Sequence, residues 1–298
     1  MADRDKKSVA AEVREFLSTR RARITPEQAG LPVYGGNRRV AGLRREEVAL
    51  LAGMSVDYYV RLERGNLSGA SDSVLESLAH ALQLDEAERT HLYDLAHAAT
   101  PSGRRPTATA SRVRPTILRL LDSMADVPAY VRNARFDILA ANTLGRALYA
   151  PLFDSPLFAQ RGPVNSARFL FLDPASKDFW VDWDKGADDA VAFLRIETGR
   201  APHDKALTDL IGELTTKSGG FARRWARHDV KFHRSGMKNL HHPLVGDLAL
   251  PYEAMELPSD PGLRLNFYTP EPHSPASQAL GLLASWANTT TVVPTAND

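Results

Sequence analysis

The sequence predicts a two-domain protein: an all-α domain of five helices, followed by an α+β domain. The first of three supporting observations is length, since 298 residues is more than one ordinary domain holds. Another is the stretch Thr100-Pro-Ser-Gly-Arg-Arg-Pro-Thr-Ala-Thr-Ala-Ser111, which contains no large apolar side chain. Two prolines, a glycine and five hydroxyl residues there read as a linker over residues 100–112, between domains at 1–99 and 113–298. Finally, apolar spacing is helical throughout the first part, whereas helix and strand signals alternate in the second.

In the first part, Val9, Val13, Phe16 and Leu17 recur on one face of a helix over residues 9–20. Thr25-Pro-Glu-Gln has the form of a short helix start. Residues 30–42 carry four glycines and the pair Arg38-Arg39, and read as a mobile basic arm. Val48, Leu51 and Ala52 share a face of the next helix, Gly53 breaks it, and Ser55 caps another that ends at Gly65. Ser73 with Glu76, and Asp85 with Glu88, each form a capping box ahead of a further apolar helix.

Composition narrows the function. Apolar residues make up 43%, enough for real cores. With 37 basic and 36 acidic side chains the formal charge is +1, so an electrostatic partner must be met by a local patch. Such a patch exists: residues 1–67 hold 13 basic and 9 acidic side chains, and every basic residue from Arg14 to Arg64 is an arginine. Guanidinium forks suit phosphate. The absence of cysteine excludes disulfides, thiolate nucleophiles and Cys-ligated metals. No apolar run approaches 18 residues, and the N-terminus leads into no apolar stretch, so no spanning helix or signal peptide is expected and the protein is expected in the cytoplasm. No phosphate-loop, dinucleotide or nucleophile-elbow motif occurs, and catalysis is not expected.

The central helix pair has the requirements of a helix-turn-helix that reads DNA. Ala49 is small where two helices cross, Gly53 turns the chain four positions on, and Ser55 caps the second helix. Met54, Tyr59 and Leu62 form its inner face. Val56, Asp57, Tyr58 and Arg61 lie on the outer, groove-entering side and are the base-edge candidates. Arg61 can bond guanine, Asp57 can accept from cytosine, and Val56 or Tyr58 can touch a thymine methyl. Arg38, Arg39, Arg44, Arg45 and Arg64 are the phosphate candidates, setting register rather than sequence. The bland alternative is a helical hairpin with a solvated arginine face.

Residues 12–97 resemble the lambda-repressor-like helix-turn-helix of XRE-type bacterial regulators. Gly42-Leu-Arg-Arg-Glu-Glu-Val-Ala, Ala52-Gly-Met-Ser-Val-Asp-Tyr-Tyr and Arg61-Leu-Glu-Arg-Gly resemble the subfamily in which this module precedes an MmyB-like ligand-binding domain. The resemblance implies a double-stranded DNA operator as partner and a role in transcription regulation.

The second part reads as a helix over 113–124, a hairpin turning at Asn133-Ala134-Arg135, and a helix from Asn142. Residues 165–226 are mainly helical, Trp183–Arg200 most clearly, with another helix from Thr208 to Leu214. Strands follow at 230–232, 246–256 and 263–269, then a closing helix over 277–286. This α+β order is PAS-like. Tyr130-Val, Asp137-Ile-Leu-Ala-Ala-Asn142, Phe169-Leu-Phe-Leu-Asp-Pro174, Asp182-Trp183, Trp225-Ala-Arg-His-Asp-Val230 and His242-Pro-Leu-Val-Gly246 resemble the MmyB-like domain. The resemblance implies a PAS-like sensor with an apolar pocket for a small apolar or amphipathic effector, fatty-acid-like in some relatives.

Candidates for the pocket wall are Phe171, Trp180, Trp183, Phe193, Trp225, Tyr252 and Phe267, with Asn142, Arg195, His233 and His242 as polar anchors. For each aromatic the competing reading is plain core packing, and for Asn142 it is a helix cap. His228, His233, His241 and His242 lack a metal-ligand spacing and read as structural; no cofactor or metal is expected. The protein is expected to act as a homodimer, paired through the second domain, with no membrane partner. The alternative is a DNA-binding head joined to a dimerisation or partner-binding module that takes no ligand.

Overall fold

A computed structural model describes residues 2–32, 40, 42–99, 112–159, 162–202, 204–227 and 235–291. The linker at 100–111, Arg38, Arg39, His228, His233 and the strand expected at 230–232 lie outside these. The chain forms two compact units. One comprises Met1–Pro106 with Val191–Thr208 and Arg223–Phe232; the other comprises Thr107–Ala190, Asp209–Ala222 and His233–Asp298. Residues 191–208 and 223–232, on the far side of the linker in sequence, thus group with the N-terminal helices.

In the first unit, helix α1 (Ala2–Arg23) is longer than its periodic core and buries Val9, Val13, Phe16 and Leu17. Thr25 and Gln28 exchange backbone-to-side-chain bonds, Thr25 N–H to Gln28 Oε1 at 2.9 Å and Gln28 N–H to Thr25 Oγ1 at 3.3 Å. That pair closes the short turn expected there, and Gly30 leaves it at φ +69°. Helices α2 (Arg45–Leu51), α3 (Val56–Glu63), α4 (Asp72–Ala81) and α5 (Glu86–Ala99) follow. Asp85 and Glu88 make the reciprocal box ahead of α5, at 3.2 and 2.9 Å. Ahead of α4 the cap is Ser71, which accepts from Val74 N–H. The expected Ser73–Glu76 box does not form: Ser73 is already inside the helix, and Glu76 pairs with Arg89 at 2.6 Å. Phe16, Leu43, Val48, Tyr59, Leu62, Leu78 and Leu92 fill one core.

The second unit contains α6 (Pro115–Ser123), β1 (Ala129–Asn133), β2 (Ile138–Ala141), α7 (Thr143–Leu148), α8 (Ala150–Phe153), a 3₁₀ turn at Pro156–Phe158, α9 (Ser166–Leu172) and α10 (Ala175–Phe179). Helices α11 (Trp183–Arg200), α12 (Lys205–Lys217) and α13 (Gly219–Trp225) have residues in both units. Strands β3 (Ser235–His242), β4 (Gly246–Glu256) and β5 (Leu263–Tyr268) and helix α14 (Pro275–Thr291) complete it. The five strands form one antiparallel sheet in the order β2-β1-β5-β4-β3.

The β1–β2 hairpin turns where expected, because Asn133 Oδ1 accepts from Arg135 N–H (2.9 Å) and Asp137 N–H (3.0 Å). Asn142 caps α7, accepting from Gly145 N–H at 2.7 Å, while its amide donates to the carbonyls of Met124 and Val127 at 2.7 Å. All its bonding capacity is thus spent on the fold rather than on a ligand. One sheet face carries Tyr130, Leu240, Leu248, Leu250 and Tyr268 against α7, α8 and α14. The other carries Val131, Leu263, Leu265 and Phe267 against Leu121 of α6. Among the described residues no helix is long and apolar enough to cross a membrane.

Candidate functional site

The helix-turn-helix is built around three local decisions. Ala49 is buried where α2 meets the core, a place that favours a small side chain. Gly53 follows α2 at φ +64°, a conformation a β-carbon disfavours. There Met54 N–H bonds the Ala49 carbonyl at 2.9 Å and Gly53 N–H the Leu50 carbonyl at 3.2 Å, which ends α2 cleanly. Ser55 then caps α3, its hydroxyl accepting from Tyr58 N–H at 3.2 Å. Tyr59 and Leu62 anchor α3 in the core.

This seating turns Val56, Asp57 and Arg61 outward, while Tyr58 stays half-buried against the core. The Arg61 guanidinium lies 4.8 Å from the Tyr58 ring centroid. Among the described residues neither Arg61 nor Arg64 has an ion pair. Arg44 is exposed at the N-cap of α2, 3.4 Å from Glu46. Arg45 is differently employed: its Nε and Nη2 donate to Glu63 Oε1 at 3.1 and 3.0 Å.

Glu63 is the residue that sequence reasoning missed. It is 2% exposed and also receives Arg21 through Nε at 2.9 Å and Nη2 at 3.0 Å. Burial alone would raise its carboxyl, but the hydrogen bonds from Arg21 and Arg45 outweigh that and hold it below the ordinary glutamate range. Burial, with Glu63 nearby, pushes the Tyr59 hydroxyl far above the usual phenol range. One carboxylate therefore ties α3 to α1 and α2. The available signal was Glu63 falling one position after Leu62, within reach of the apolar face.

The candidate pocket residues are not one group. Phe171 packs edge-on against Trp183 and Phe221, at 6.0 and 5.0 Å between centroids, and Trp183 Nε1–H donates to the Leu170 carbonyl at 3.0 Å. Phe267 lies on the α6 side of the sheet. Phe193 and Arg195 belong to the first unit. There Arg195 is wholly buried, Nη1 donating to Glu12 Oε1 at 2.5 Å, Nη2 donating to the Trp225 carbonyl, and the guanidinium 3.8 Å above the Trp225 ring. In the same unit Arg200 reaches Asp94 at 3.3 Å. His242 Nε2–H donates to the Ala147 carbonyl at 3.0 Å and Nδ1 accepts from Leu244 N–H at 3.2 Å; burial lowers its pKa and keeps it neutral.

Trp180 and Tyr252 do come together. Both line a small cleft of about 50 Å³ at the β3 edge, beside the first turns of α11. Lys238, which the sequence reading passed over, lies between them, with its ammonium 5.7 Å from the Trp180 ring and 5.1 Å from the Tyr252 ring. Burial lowers its pKa.

A protein-family model described as the MmyB-like transcription regulator ligand binding domain matches residues 113–283. A second, described as a helix-turn-helix domain, matches residues 17–92. No curated protein matches the chain.

Proposed function

The chain belongs to the family of the MmyB-like transcription regulator ligand-binding domain, and on that premise we propose that it is an XRE-type, ligand-responsive regulator of transcription. Its lambda-repressor-like head binds an operator in double-stranded DNA, and its PAS-like second domain binds a small apolar or amphipathic effector. The observation that carries the reading is the outer edge of α3. Val56, Asp57 and Arg61 are exposed on a helix that is capped, ends cleanly and is locked to α1 and α2 through Glu63. A rigid helix with free polar ends at its exposed edge is what major-groove reading requires. Arg44 and Arg64 stand beside it for phosphate.

The sheet order β2-β1-β5-β4-β3, with helices α7–α13 inserted between β2 and β3, supports the PAS-like reading. The protein works as a homodimer in the cytoplasm, its two α3 helices about 34 Å apart on a near-palindromic site. Exposed Leu118 and Leu120 on α6 support pairing through the second domain.

The test is a binding titration of the full chain on its own promoter against random DNA at about 150 mM salt. Preference for the promoter is expected, and Arg61→Ala is expected to cost about 1–3 kcal/mol of discrimination at one base pair. Equal affinity for both DNAs would overturn the regulator reading. An unchanged site preference in Arg61→Ala would overturn the assigned reading face.

A further inference from the structure

Asp57 and Arg61 stand four residues apart on α3, the spacing at which an acidic side chain and a following arginine pair across one helical turn. They do not pair. The Arg61 guanidinium carbon lies over the Tyr58 ring instead, 4.8 Å from its centroid, and Arg61 has no ion pair among the described residues. The Asp57 carboxylate is exposed and has no hydrogen bond or ion pair among the described residues either. The other carboxylate of α3, Glu63, is taken by Arg21 and Arg45.

The ring that holds Arg61 is itself held. Tyr58 is half-buried and packs against the core that contains Tyr59 and Leu62, and it precedes Arg61 by three residues, the other spacing that brings helical side chains together. A cation drawn to a ring face uses no N–H donor for it. The five donors of Arg61 therefore stay free for the paired acceptors on a guanine edge. An ion pair with Asp57 would occupy those donors. It would also occupy the lone pairs with which Asp57 can accept from cytosine. One contact would thus silence two base-reading side chains.

We propose that Tyr58 is a positioning residue of the DNA-reading edge: its ring holds the Arg61 guanidinium off Asp57, so that both side chains enter the major groove with their hydrogen-bonding groups uncommitted. The assignment rests on the proposed reading face of α3, and it replaces the thymine contact expected of Tyr58 from the sequence. A ring–cation contact at an exposed site is modest, so Tyr58 tunes discrimination at the base pair that Arg61 reads and leaves the phosphate contacts alone.

The experiment sequences the duplexes that the full-length protein retains from a randomised double-stranded pool, which gives base preference position by position without a known operator. Ratios between duplexes cancel any difference in the folded fraction of a variant. Arg61→Ala marks the position that Arg61 reads, by loss of preference there. At that position Tyr58→Leu is expected to lower the wild-type preference about two- to fivefold, and Tyr58→Phe, which keeps the ring, to retain it. Asp57→Asn added to Tyr58→Leu is expected to restore most of the loss, because the competing carboxylate is gone. Full preference in Tyr58→Leu, or an equal loss in Tyr58→Phe, overturns the positioning role and leaves the reading face standing. A loss that Asp57→Asn does not restore also overturns it. Unchanged preference at every position in Arg61→Ala overturns the reading face and the role of Tyr58 with it.

Discussion

Glu63 and Lys238 are both ionisable side chains drawn into folded parts of the molecule, and their neighbours differ in kind. Glu63 receives four guanidinium hydrogen bonds from two helices. Lys238 faces two rings and has no contact-distance partner among the described residues. A buried charge that is fully bonded fixes the orientation of the elements that bond it. One that is left incompletely bonded costs stability. Glu63 belongs to the architecture that holds α3, whereas Lys238 is met by ring faces rather than by hydrogen-bonding partners.

This contrast has measurable consequences of decreasing size. Glu63→Gln keeps the shape but leaves Arg21, partly buried, without its counter-charge. Unfolding in urea should show a loss of about 3 kcal/mol, the lower end for a broken buried pair because Arg45 is half exposed. A loss below about 1 kcal/mol would mean that solvent takes over for Glu63. Lys238→Met should leave stability unchanged or raise it by up to about 1 kcal/mol, since it removes an incompletely bonded cation. A marked loss would place Lys238 with Glu63 as an architectural charge.

His242 supplies a third, pH-dependent case. Its folded pKa lies below the ordinary 6.5 because burial disfavours the imidazolium. The unfolded chain therefore binds the proton more readily, so the stability held above about pH 6.5 falls as pH drops toward the folded value. Urea midpoints from pH 7.5 down to pH 5, values of about the range in which imidazole titrates, should decline in wild type and flatten in His242→Gln. A parallel decline in both would assign the effect to other groups. The smallest effect is expected at exposed Arg64. Arg64→Ala should alter stability by less than about 0.5 kcal/mol yet reduce the salt slope of DNA binding by about one. An unchanged slope would remove Arg64 from the phosphate set.

Much of the fold was legible because its signals are local. Gly53, Ser55, the Asp85–Glu88 box, the Asn133 turn and the Asn142 cap each act within five residues, and α11 and β4 took the bounds their periodicity implied. Ser71 displaced Ser73 as the cap of α4: both hydroxyls can cap, they lie only two residues apart, and helix starts shift by that much. Strand β3 was missed because Ser-Gly-Met-Lys-Asn-Leu-His-His is polar at both parities; it is held by its backbone ladder with β4. The site residues divide along the same line. The outer edge of α3 follows from helical spacing, whereas Glu63 acquires its role from partners 18 residues or more away and Lys238 its surroundings from a cleft wall. Arg195 was read as a polar anchor of the pocket, whereas in the structure its guanidinium lies over the Trp225 ring and Nη1 donates to Glu12.

Helix α11 is 18 residues long, roughly 27 Å, and it is unbroken where the chain passes from one compact unit to the other at Ala190–Val191. Its first turns line the Lys238 cleft, while Arg195, Ile196 and Gly199 are fitted to Glu12, the helical core and His91. Within the first unit, Arg195, Ile196 and Gly199 share one helical phase: a single residue inserted between Arg195 and Gly199 would turn the two by roughly 100° relative to each other, presenting another side chain where Gly199 now leaves no space beside His91. Substitutions can drift along this helix, but its register is indivisible: length changes are tolerable only in near-whole turns, so gaps in an alignment of relatives should avoid it.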